Sequence, residues 1–473
     1  MKKRLTKALS VFLGTSFILM GLINPLTAMG QMSVMGTDTQ PFDRLGGYDK
    51  YETAALIARQ GWTINSEAVV LSAGMNRNLV DALAAGPLAA QLNAPILLTD
   101  GSTTLNSLTK AEIERLEPHT VYVTSGSAVI KPEVLKVIEA MPSVEKVVPL
   151  GGWDQYETSV NIAKEMAELG ADLSKVVIAS GWSTPADALS VGAIAGAQGM
   201  PILATTKGKL PESVVNFLSS IQGITDTYII GGTAVVGETI ELELPGTVHR
   251  YAGLTKYDTN VEVLKGFSQT LNYEHIYYAN GETFVDALAG VPFAAQTQSP
   301  IILTGQELPQ VTRELTKQSI LPYSEVIAFG GTAAIPEKVL TDIFDILVEL
   351  FMEGYDHVTL THFSSMYPTP LEGESVDFKL IDGKNASDLA AIAVTLVDSN
   401  GEVLATNMGT DLLLQSDNTQ FSTIFYRDKT SKLLDNVWEY GDWTGDTNQL
   451  VASVMITLAY KDGQVYFAFF NKV

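Results

Sequence analysis

The side chains that could carry chemistry in this 473-residue chain are carboxylates, hydroxyls and five histidines, since the sequence contains no cysteine. The lack of cysteine excludes disulfide bonds, thiolate zinc sites, iron–sulfur clusters and cysteine nucleophiles. A zinc hydrolase would instead need several His, Asp or Glu ligands that converge in space. The histidines available for this are His119, His249, His275, His357 and His362.

Two of these histidines lie close together in the sequence. His357 and His362 are five residues apart in a segment whose period-two pattern predicts a strand, so their side chains are expected on opposite faces. They do not form the paired ligands of a helical zinc motif. No GxSxG, Walker or GxGxxG motif follows a predicted strand. The sequence therefore predicts no metal and no cofactor, and we expect a non-catalytic protein.

Four short motifs recur three times in the same order, which establishes an internal triplication. The first is a glycine turn followed by an aromatic residue and a threonine. The second holds an aspartate three residues after a polar side chain, the third is an apolar run that ends in threonine, and the fourth is another small-residue turn. In chain order they read LGGYDKYET, NLVDAL, APILLT and TSGSAV (45–129), LGGWDQYET, TPADAL, MPILAT and IGGTAV (150–235), and YAGLTKYDT, TFVDAL, SPIILT and FGGTAA (251–334).

The elements that position these motifs alternate between short apolar strands and small-residue helices. Strands that are apolar on both faces and separated by helices predict a parallel sheet covered on both sides. Each repeat is therefore predicted to be a small Rossmann- or flavodoxin-like α/β module. In the first repeat the predicted strands are 69–72, 95–99, 121–124 and 147–150, and the predicted helices are 50–60, 79–91, 107–116 and 132–140.

The repeated aspartates stand at the spacing of a capping box, in which a polar side chain caps a helix and the acid three residues later bonds back. The sequence thus predicts helix caps, and a direct ligand or catalytic role stays open. The pairs are Asn78 with Asp81, Thr184 with Asp187, and Thr283 with Asp286.

The glycine turn of the first motif leads into another predicted helix. Its glycines allow a tight turn, and free amides at the helix start could hold an anion. A turn with an ordinary helix cap is the alternative. The residues concerned are Gly46, Gly47, Tyr51, Gly151, Gly152, Tyr156, Gly253 and Tyr257.

Over about residues 42–347 these motifs resemble the cell-wall-binding repeat 2 family of secreted Gram-positive proteins. The resemblance implies three modules in a pseudo-threefold trimer, which bind anionic wall polymers without a covalent link. It also implies polymer contacts by the turn residues above and by Arg44, Arg77 and Arg250. Alternatively, Arg44 and Arg250 pair with acids such as Asp43 or Asp258.

The three copies depart from the family pattern in different ways. Pro149 replaces the arginine in the second copy, Ser183 and Glu282 stand where the first copy has Arg77, and Ala252 replaces a turn glycine in the third. We therefore expect the three binding sites to be non-equivalent.

The chain is acidic, with 30 Lys and Arg against 53 Asp and Glu and a net charge of −23. This charge argues against a general nucleic-acid partner. An anionic polymer would have to be met by local geometry rather than by the overall field.

The N-terminus predicts secretion. Four basic residues in 1–7 precede an apolar run over 8–23, and small residues follow Pro25 at Ala28 and Gly30. A basic region, an apolar region and a small-residue cleavage site are the parts of a signal peptide. We expect residues 1–30 to be removed, no membrane span in the mature protein, and a location in the cell wall or on the surface of a Gram-positive bacterium.

The last segment, from about residue 355, predicts a C-terminal all-β sandwich of immunoglobulin-like type, whose partner the sequence does not identify. Asn-Gly and Asp-Gly pairs in 398–403 and 461–465 predict two hairpins. The predicted domains are a signal peptide (1–30), three wall-binding modules (42–145, 146–246 and 247–347) and the sandwich (355–473).

Two other functions stay open. A wall-modifying hydrolase would have its active site in residues 355–473, because paired glycosidase carboxylates need not be close in sequence. A receptor for a soluble ligand would instead use the α/β modules.

Overall fold

A computed structural model of the protein divides into two compact units, Pro41–Ile343 and Phe344–Val473. The predicted signal peptide lies outside the described residues, as do Arg77, Asn78, Asp81 and Thr184. The described residues are 42–75, 84–183, 186–320, 324–366, 373–384, 386–398, 403–408, 413–414, 420–426, 442–443, 451–461 and 465–471.

The first unit is built on three four-stranded parallel sheets with one topology. Their strand orders are β3-β2-β4-β5, β7-β6-β8-β9 and β11-β10-β12-β1. The strands are β1 (Asp43–Leu45), β2 (Ala68–Ala73), β3 (Ile96–Thr99), β4 (Thr120–Val123), β5 (Lys146–Pro149), β6 (Lys175–Ser180), β7 (Ile202–Thr205), β8 (Asp226–Ile230), β9 (Thr247–Tyr251), β10 (His275–Asn280), β11 (Ile301–Thr304) and β12 (Glu325–Phe329).

Helices separate these strands, as the sequence predicts. The helices are α1 (Lys50–Gly61), α2 (Ala85–Gln91), α3 (Ser107–Leu116), α4 (Pro132–Glu139), α5 (Gln155–Glu168), α6 (Ala186–Gln198), α7 (Glu212–Ser220), α8 (Glu238–Glu241), α9 (Lys256–Gly266), α10 (Val285–Gln296), α11 (Gln310–Ser319) and α12 (Glu337–His357).

The central strands are apolar because helices cover both of their faces. All six residues of β2 are buried, and so are all four residues of β3. In the first module Val69, Leu71 and Leu97 pack with Ile113 from α3 and Val134 from α4 in one core. Strands buried on both faces read as continuous apolar runs, which is why their positions could be predicted closely.

The first unit closes into a ring through its first strand. β1 pairs in parallel with β12, with Arg44 opposite Ala328. In the same way β5 completes the first sheet and β9 the second. Each of these strands leads through the glycine turn into a helix of the next module. The module boundaries at 145 and 246 stay predictions, and the strands that follow them hydrogen-bond in the sheet of the preceding module.

Helices α2, α6 and α10 pack against one another at the centre of the ring. They are built mostly of small residues, which allow close approach. A Cβ on Gly196 of α6 would lie 2.8 Å from the Cβ of Ala90 in α2 and 3.2 Å from that of Ala295 in α10. The predicted pseudo-threefold trimer of Rossmann-like modules is confirmed.

The second unit contains two antiparallel sheets, with orders β13-β14-β18-β17 and β19-β16-β15-β20-β21. Residues from both sheets share one core, including Phe378 and Phe421 from one and Ile392 and Ile456 from the other. This is the predicted β-sandwich. Its strands are β13 (Val358–Met366), β14 (Gly373–Leu380), β15 (Leu389–Asp398), β16 (Val403–Met408), β17 (Leu413–Leu414), β18 (Gln420–Tyr426), β19 (Asp442–Trp443), β20 (Val451–Tyr460) and β21 (Val465–Asn471).

Both predicted hairpins form, since β15 pairs with β16 and β20 with β21 in antiparallel fashion. The placement of His357 on a strand is wrong, because this residue ends α12. Its Nδ1 lies 2.7 Å from Oδ2 of Asp382, and its ring stacks on Tyr466 at a centroid distance of 3.7 Å. These contacts hold the histidine at the start of the sandwich.

Candidate functional site

The glycine turns after β1 and β5 need glycine because another backbone lies against them. A Cβ on Gly46 would be 2.3 Å from the carbonyl carbon of Gly330, in the turn that follows β12. A Cβ on Gly151 would be 2.2 Å from the amide nitrogen of Gly126, in the turn that follows β4. Backbone atoms cannot yield as a flexible side chain can. At the carboxyl edges of the third and first sheets, these turns therefore pack directly against the turns that follow β12 and β4.

The amides at the start of α1 are already occupied. Oδ1 of Asp49 accepts hydrogen bonds from the amides of Tyr51 and Glu52, each at 2.9 Å. The amide of Tyr48 donates to Oε2 of Glu52 at 2.6 Å. This arrangement matches the turn-and-cap alternative, because side chains of the protein itself occupy the positions that an anion would take.

The other two copies are capped in related ways. The amide of Glu157 donates to Oδ1 of Asp154 at 2.8 Å, and that of Trp153 donates to Oε2 of Glu157 at 2.7 Å. In the third copy, Thr255 and Asp258 form a capping box. The aspartates of the second motif are therefore not the source of these caps.

A threonine and an aspartate link the turn to a neighbouring module. The amide of Gly47 donates to Oγ1 of Thr53 at 3.0 Å, and the Thr53 hydroxyl donates to the carboxyl of Asp286 in the third module. The amide of Gly253 donates to Thr259 at 3.1 Å, and Thr259 bonds Asp187 of the second module. The aspartates therefore join neighbouring modules.

The predicted capping box at Thr283 and Asp286 is not formed. Helix α10 begins at Val285, and its N-cap residue Phe284 has φ of 60° and makes no side-chain cap. The amide of Thr283 donates instead to Oδ1 of Asn280 at 3.1 Å. The sequence spacing correctly singled out Asp286. The predicted partner Thr283 is wrong, because the observed partner, Thr53, comes from another module.

Burial changes the acidity of these aspartates. Asp286 is only 9% exposed, and this desolvation raises its pKa to about 6, against the lowering effects of Thr53 and Lys50. Burial also raises the pKa of Asp187, against the lowering effect of its hydrogen bond with Thr259. Each carboxyl lies beside a glycine with φ of 116°, Gly330 or Gly231, where a side chain would meet the carboxylate oxygen.

Arg44 and Arg250 are held inside the protein. Arg44 donates to the Gly330 carbonyl at 2.8 Å and to Glu337 at 3.0 Å. Arg250 donates to the carbonyls of Gly231 and Val236 and to Glu241. Their side chains are only 16% and 17% exposed. Both arginines therefore form ion pairs, which is the alternative to polymer binding that the sequence left open. Their acidic partners are Glu337 and Glu241 rather than Asp43 and Asp258.

Tyr51, Tyr156 and Tyr257 lie over the carboxyl ends of the central strands. A Cβ on Gly74, Gly181 or Gly281 would meet the ring of the corresponding tyrosine within 3.2 Å. Burial raises the pKa of each tyrosine hydroxyl. The three tyrosines thus form equivalent walls at the edge where parallel α/β sheets bind ligands.

The residues beside these tyrosines differ among the three copies, and the non-equivalence of the three binding sites stays a prediction. Lys50 Nζ lies 5.5 Å from the Tyr51 ring centroid, Gln155 donates to the Gly181 carbonyl at 3.1 Å, and Lys256 pairs with Glu282 at 3.0 Å. Among the described residues, the buried hydroxyls of Thr99 and Ser125 in the first module and of Thr205 in the second have no hydrogen-bond partner.

Sequence reasoning missed one feature of the glycine turns. Tyr48, Trp153 and Leu254 follow the turn glycines and are 100%, 97% and 101% exposed. The signal was present, because each is a large apolar residue between a glycine and a polar cap residue.

Within the described ranges, no three or more His, Asp and Glu side chains are grouped so that they could hold a metal ion. Among the helices in those ranges, none has the length and hydrophobicity needed to cross a membrane.

The ring of modules matches a known protein family. The family described as cell wall binding domain 2 (CWB2) matches residues 44–135, 150–241 and 250–340, which together make up more than half of the chain. The chain belongs to the CWB2 family. Each match begins close to a ring-joining strand and turn, so the three CWB2 repeats correspond to the three modules.

Curated relatives from Bacillus subtilis (strain 168) are similar to this CWB2 protein. A protein named "Amidase enhancer" is 29% identical over 324 residues, which are 68% of this chain and 42% of that protein. "N-acetylmuramoyl-L-alanine amidase LytC" is 29% identical over 302 residues, 63% of this chain and 57% of the amidase. The chain spans about half the length of these relatives.

Two solved structures share the fold. Cwp6 from Clostridium difficile has a TM-score of 0.60 and 28% identity, covering 66% of this chain and 50% of Cwp6. Cwp8 from the same organism has a TM-score of 0.58 and 26% identity, covering 68% of this chain and 54% of Cwp8. Together with the CWB2 repeats, these similarities support an association with the cell wall.

Proposed function

We propose that this CWB2 protein is a secreted, non-catalytic wall-binding protein of a Gram-positive bacterium. Its three repeats would bind anionic wall polymers non-covalently, and residues 355–473 would be displayed at the surface. The observation that carries this proposal is the presence of three CWB2 repeats in one closed ring. The similarity to the amidase enhancer and to LytC supports it.

The anion contact is proposed in the first module, at the carboxyl edge beside Tyr51. Arg44 and Arg250 are engaged by internal carboxylates and carbonyls, so they are poorly suited to bind a polymer. Within the described residues Lys50 makes no ion pair, whereas Lys256 is paired with Glu282. Arg77, which follows β2 in sequence, is included as a second cation.

Sedimentation with purified Gram-positive walls tests the binding. The full chain should sediment with untreated walls and much less with walls stripped of anionic polymer, because the charge contact is lost. Lys50→Glu should weaken binding to untreated walls and reduce its salt dependence. Lys164→Glu, the same charge change at an exposed position on α5, is the control. Equal binding to stripped and untreated walls would contradict the anionic-polymer proposal.

The non-catalytic part of the proposal has its own test. Incubation with purified walls should leave their turbidity unchanged while the protein remains bound. A progressive loss of turbidity would instead identify a wall hydrolase.

A further inference from the structure

The most exposed large apolar side chains of the described residues all occupy one repeated position. Tyr48, Trp153 and Leu254 are essentially fully exposed, whereas the next two, Leu242 and Ile64, are 87% and 81% exposed. A single exposed apolar residue is ordinary. The same position selected in three copies points to a common use.

The ring places these three side chains on one face. Each follows a strand that completes a sheet, namely β1, β5 or β9, and precedes the first helix of the next module. Equivalent positions in a cyclic pseudo-threefold arrangement lie at the same height along the axis.

The two aromatic residues stand on fixed turns. The amide of Tyr48 is bonded to Glu52 and that of Trp153 to Glu157, while the preceding glycines are bonded to Thr53 and Thr158. In the third copy, Asp258 bonds the amide of Thr255 instead. The aromatic turns are thus pre-organised, which lowers the entropy lost on binding.

Carboxylates bind the backbone amides next to each aromatic residue. Beside Tyr48, Asp49 and Glu52 bond turn amides through Oδ1 and Oε2, and beside Trp153, Asp154 and Glu157 use the same atoms. A carboxylate has a second oxygen, which can accept a hydroxyl proton. An exposed aromatic residue on a turn that also carries hydroxyl acceptors suits the apolar face and hydroxyl edge of a sugar, and the negative charges disfavour phosphate.

We propose that Tyr48 and Trp153 are stacking platforms for uncharged sugar rings of the wall glycan, distinct from the anion contact at Lys50. This inference rests on the proposed wall association. The sugars belong either to peptidoglycan or to the wall polymer. The flanking carboxylates and the net charge of −23 oppose docking to an anionic lipid surface.

The test compares full-length variants in binding to purified walls, with and without anionic polymer, at low and high salt. Tyr48→Ala with Trp153→Ala should weaken binding at least about tenfold, as expected for aromatic contacts at a binding centre. The loss should persist at high salt, because stacking is not an ionic interaction. Tyr48→Phe with Trp153→Phe should retain most of the binding.

Ile64→Ala with Leu242→Ala, which removes two exposed apolar side chains away from the turns, is the matched control and should bind as wild type does. A loss seen on stripped and untreated walls alike assigns the sugars to peptidoglycan. A loss confined to untreated walls assigns them to the polymer.

Four results would overturn the inference. Wild-type binding by the double alanine variant would remove the stacking role and leave the wall association intact. Binding to phosphatidylglycerol vesicles that depends on Tyr48 and Trp153 would identify lipid as the occupant, and self-association that depends on them would identify a second copy. If wild type binds no wall preparation, the proposed function fails and this inference fails with it.

Discussion

At the residue scale, the hydrogen bonds that run from Gly47 through Thr53 to Asp286 best explain how neighbouring modules of the ring are joined. They span the join between the first and third modules and are repeated by Gly253, Thr259 and Asp187. A hydroxyl that both accepts from an amide and donates to a carboxyl satisfies two buried groups. The repeated threonine and aspartate are therefore structural joints.

Asp286→Asn should change how stability depends on pH. An unfolded aspartate titrates near 3.9, whereas burial raises the pKa of Asp286 to about 6. The folded state thus binds the proton more tightly, so this group's contribution to the free energy of unfolding is greatest below about pH 4 and falls as the pH rises through about 6. The free energy of unfolding of wild type minus that of the variant should fall by roughly 2 kcal/mol from pH 4 to 7.

Urea unfolding at several pH values measures this difference. Glu139→Gln, at an exposed position on α4, should show no comparable trend. A flat difference between wild type and Asp286→Asn would mean that Asp286 ionises as it does in the unfolded chain.

At the element scale, the central helices show why small residues recur directly after the second motif. Glycine is unfavourable inside a helix by about 1 kcal/mol relative to alanine. At Gly86 and Gly192, however, a Cβ would lie 2.5 Å and 2.9 Å from methyl carbons of Val291. Close packing of the three helices therefore outweighs helix propensity. A helix that is apolar all round is what a central position in the ring requires.

Gly196→Ala should destabilise the protein although alanine is the better helix former. The new Cβ would meet the Cβ atoms of Ala90 and Ala295, which cannot rotate away, so the helices must separate at a cost of about 1–3 kcal/mol. Denaturant unfolding measures the change. Gly208→Ala, where nothing lies within 4 Å of the new Cβ, is the control, and Ala90→Gly should restore part of the loss in Gly196→Ala.

At the scale of the whole molecule, closure of the ring depends on three residues near the start of the described chain. β1 supplies the last strand of the third sheet, and the amide of Gly330 donates to the Leu45 carbonyl at 2.9 Å. Without this strand, one edge of β12 would present unpaired groups.

A chain that begins at residue 48 should lose this closure, whereas one that begins at residue 42 should keep it. The amide of Gly330 should then exchange with solvent at least about tenfold faster in the shorter chain, because its hydrogen bond is gone. The equivalent amide of Gly231, which donates to Tyr251 at 2.9 Å, is an internal control. Equal protection of Gly330 in both chains would show that β1 is dispensable.

Removal of residues 355–473 should leave wall binding within about twofold of the full chain. The repeats end before this segment, and its acidic excess opposes an anionic polymer. Sedimentation with untreated walls compares the two chains. Loss of binding in the shortened chain would assign wall contacts to the β-sandwich.

The sequence by itself determined the triplication, the α/β alternation and most element bounds. The predicted helix at 107–116 is observed as Ser107–Leu116, and the predicted strand at 121–124 as Thr120–Val123. These features were accessible because apolar periodicity, turn glycines and repeated motifs are properties of neighbouring residues.

Only the tertiary structure decided the partners of the singled-out side chains. Arg44 bonds Gly330 and Glu337, which lie 286 and 293 positions away in the sequence, and the partner of Asp286 comes from another module. Exposure of Tyr48 likewise depends on how the modules pack. Closure of the ring juxtaposes distant residues and sets their burial, and burial fixes both the acidity of a carboxyl and the availability of a side chain to a ligand.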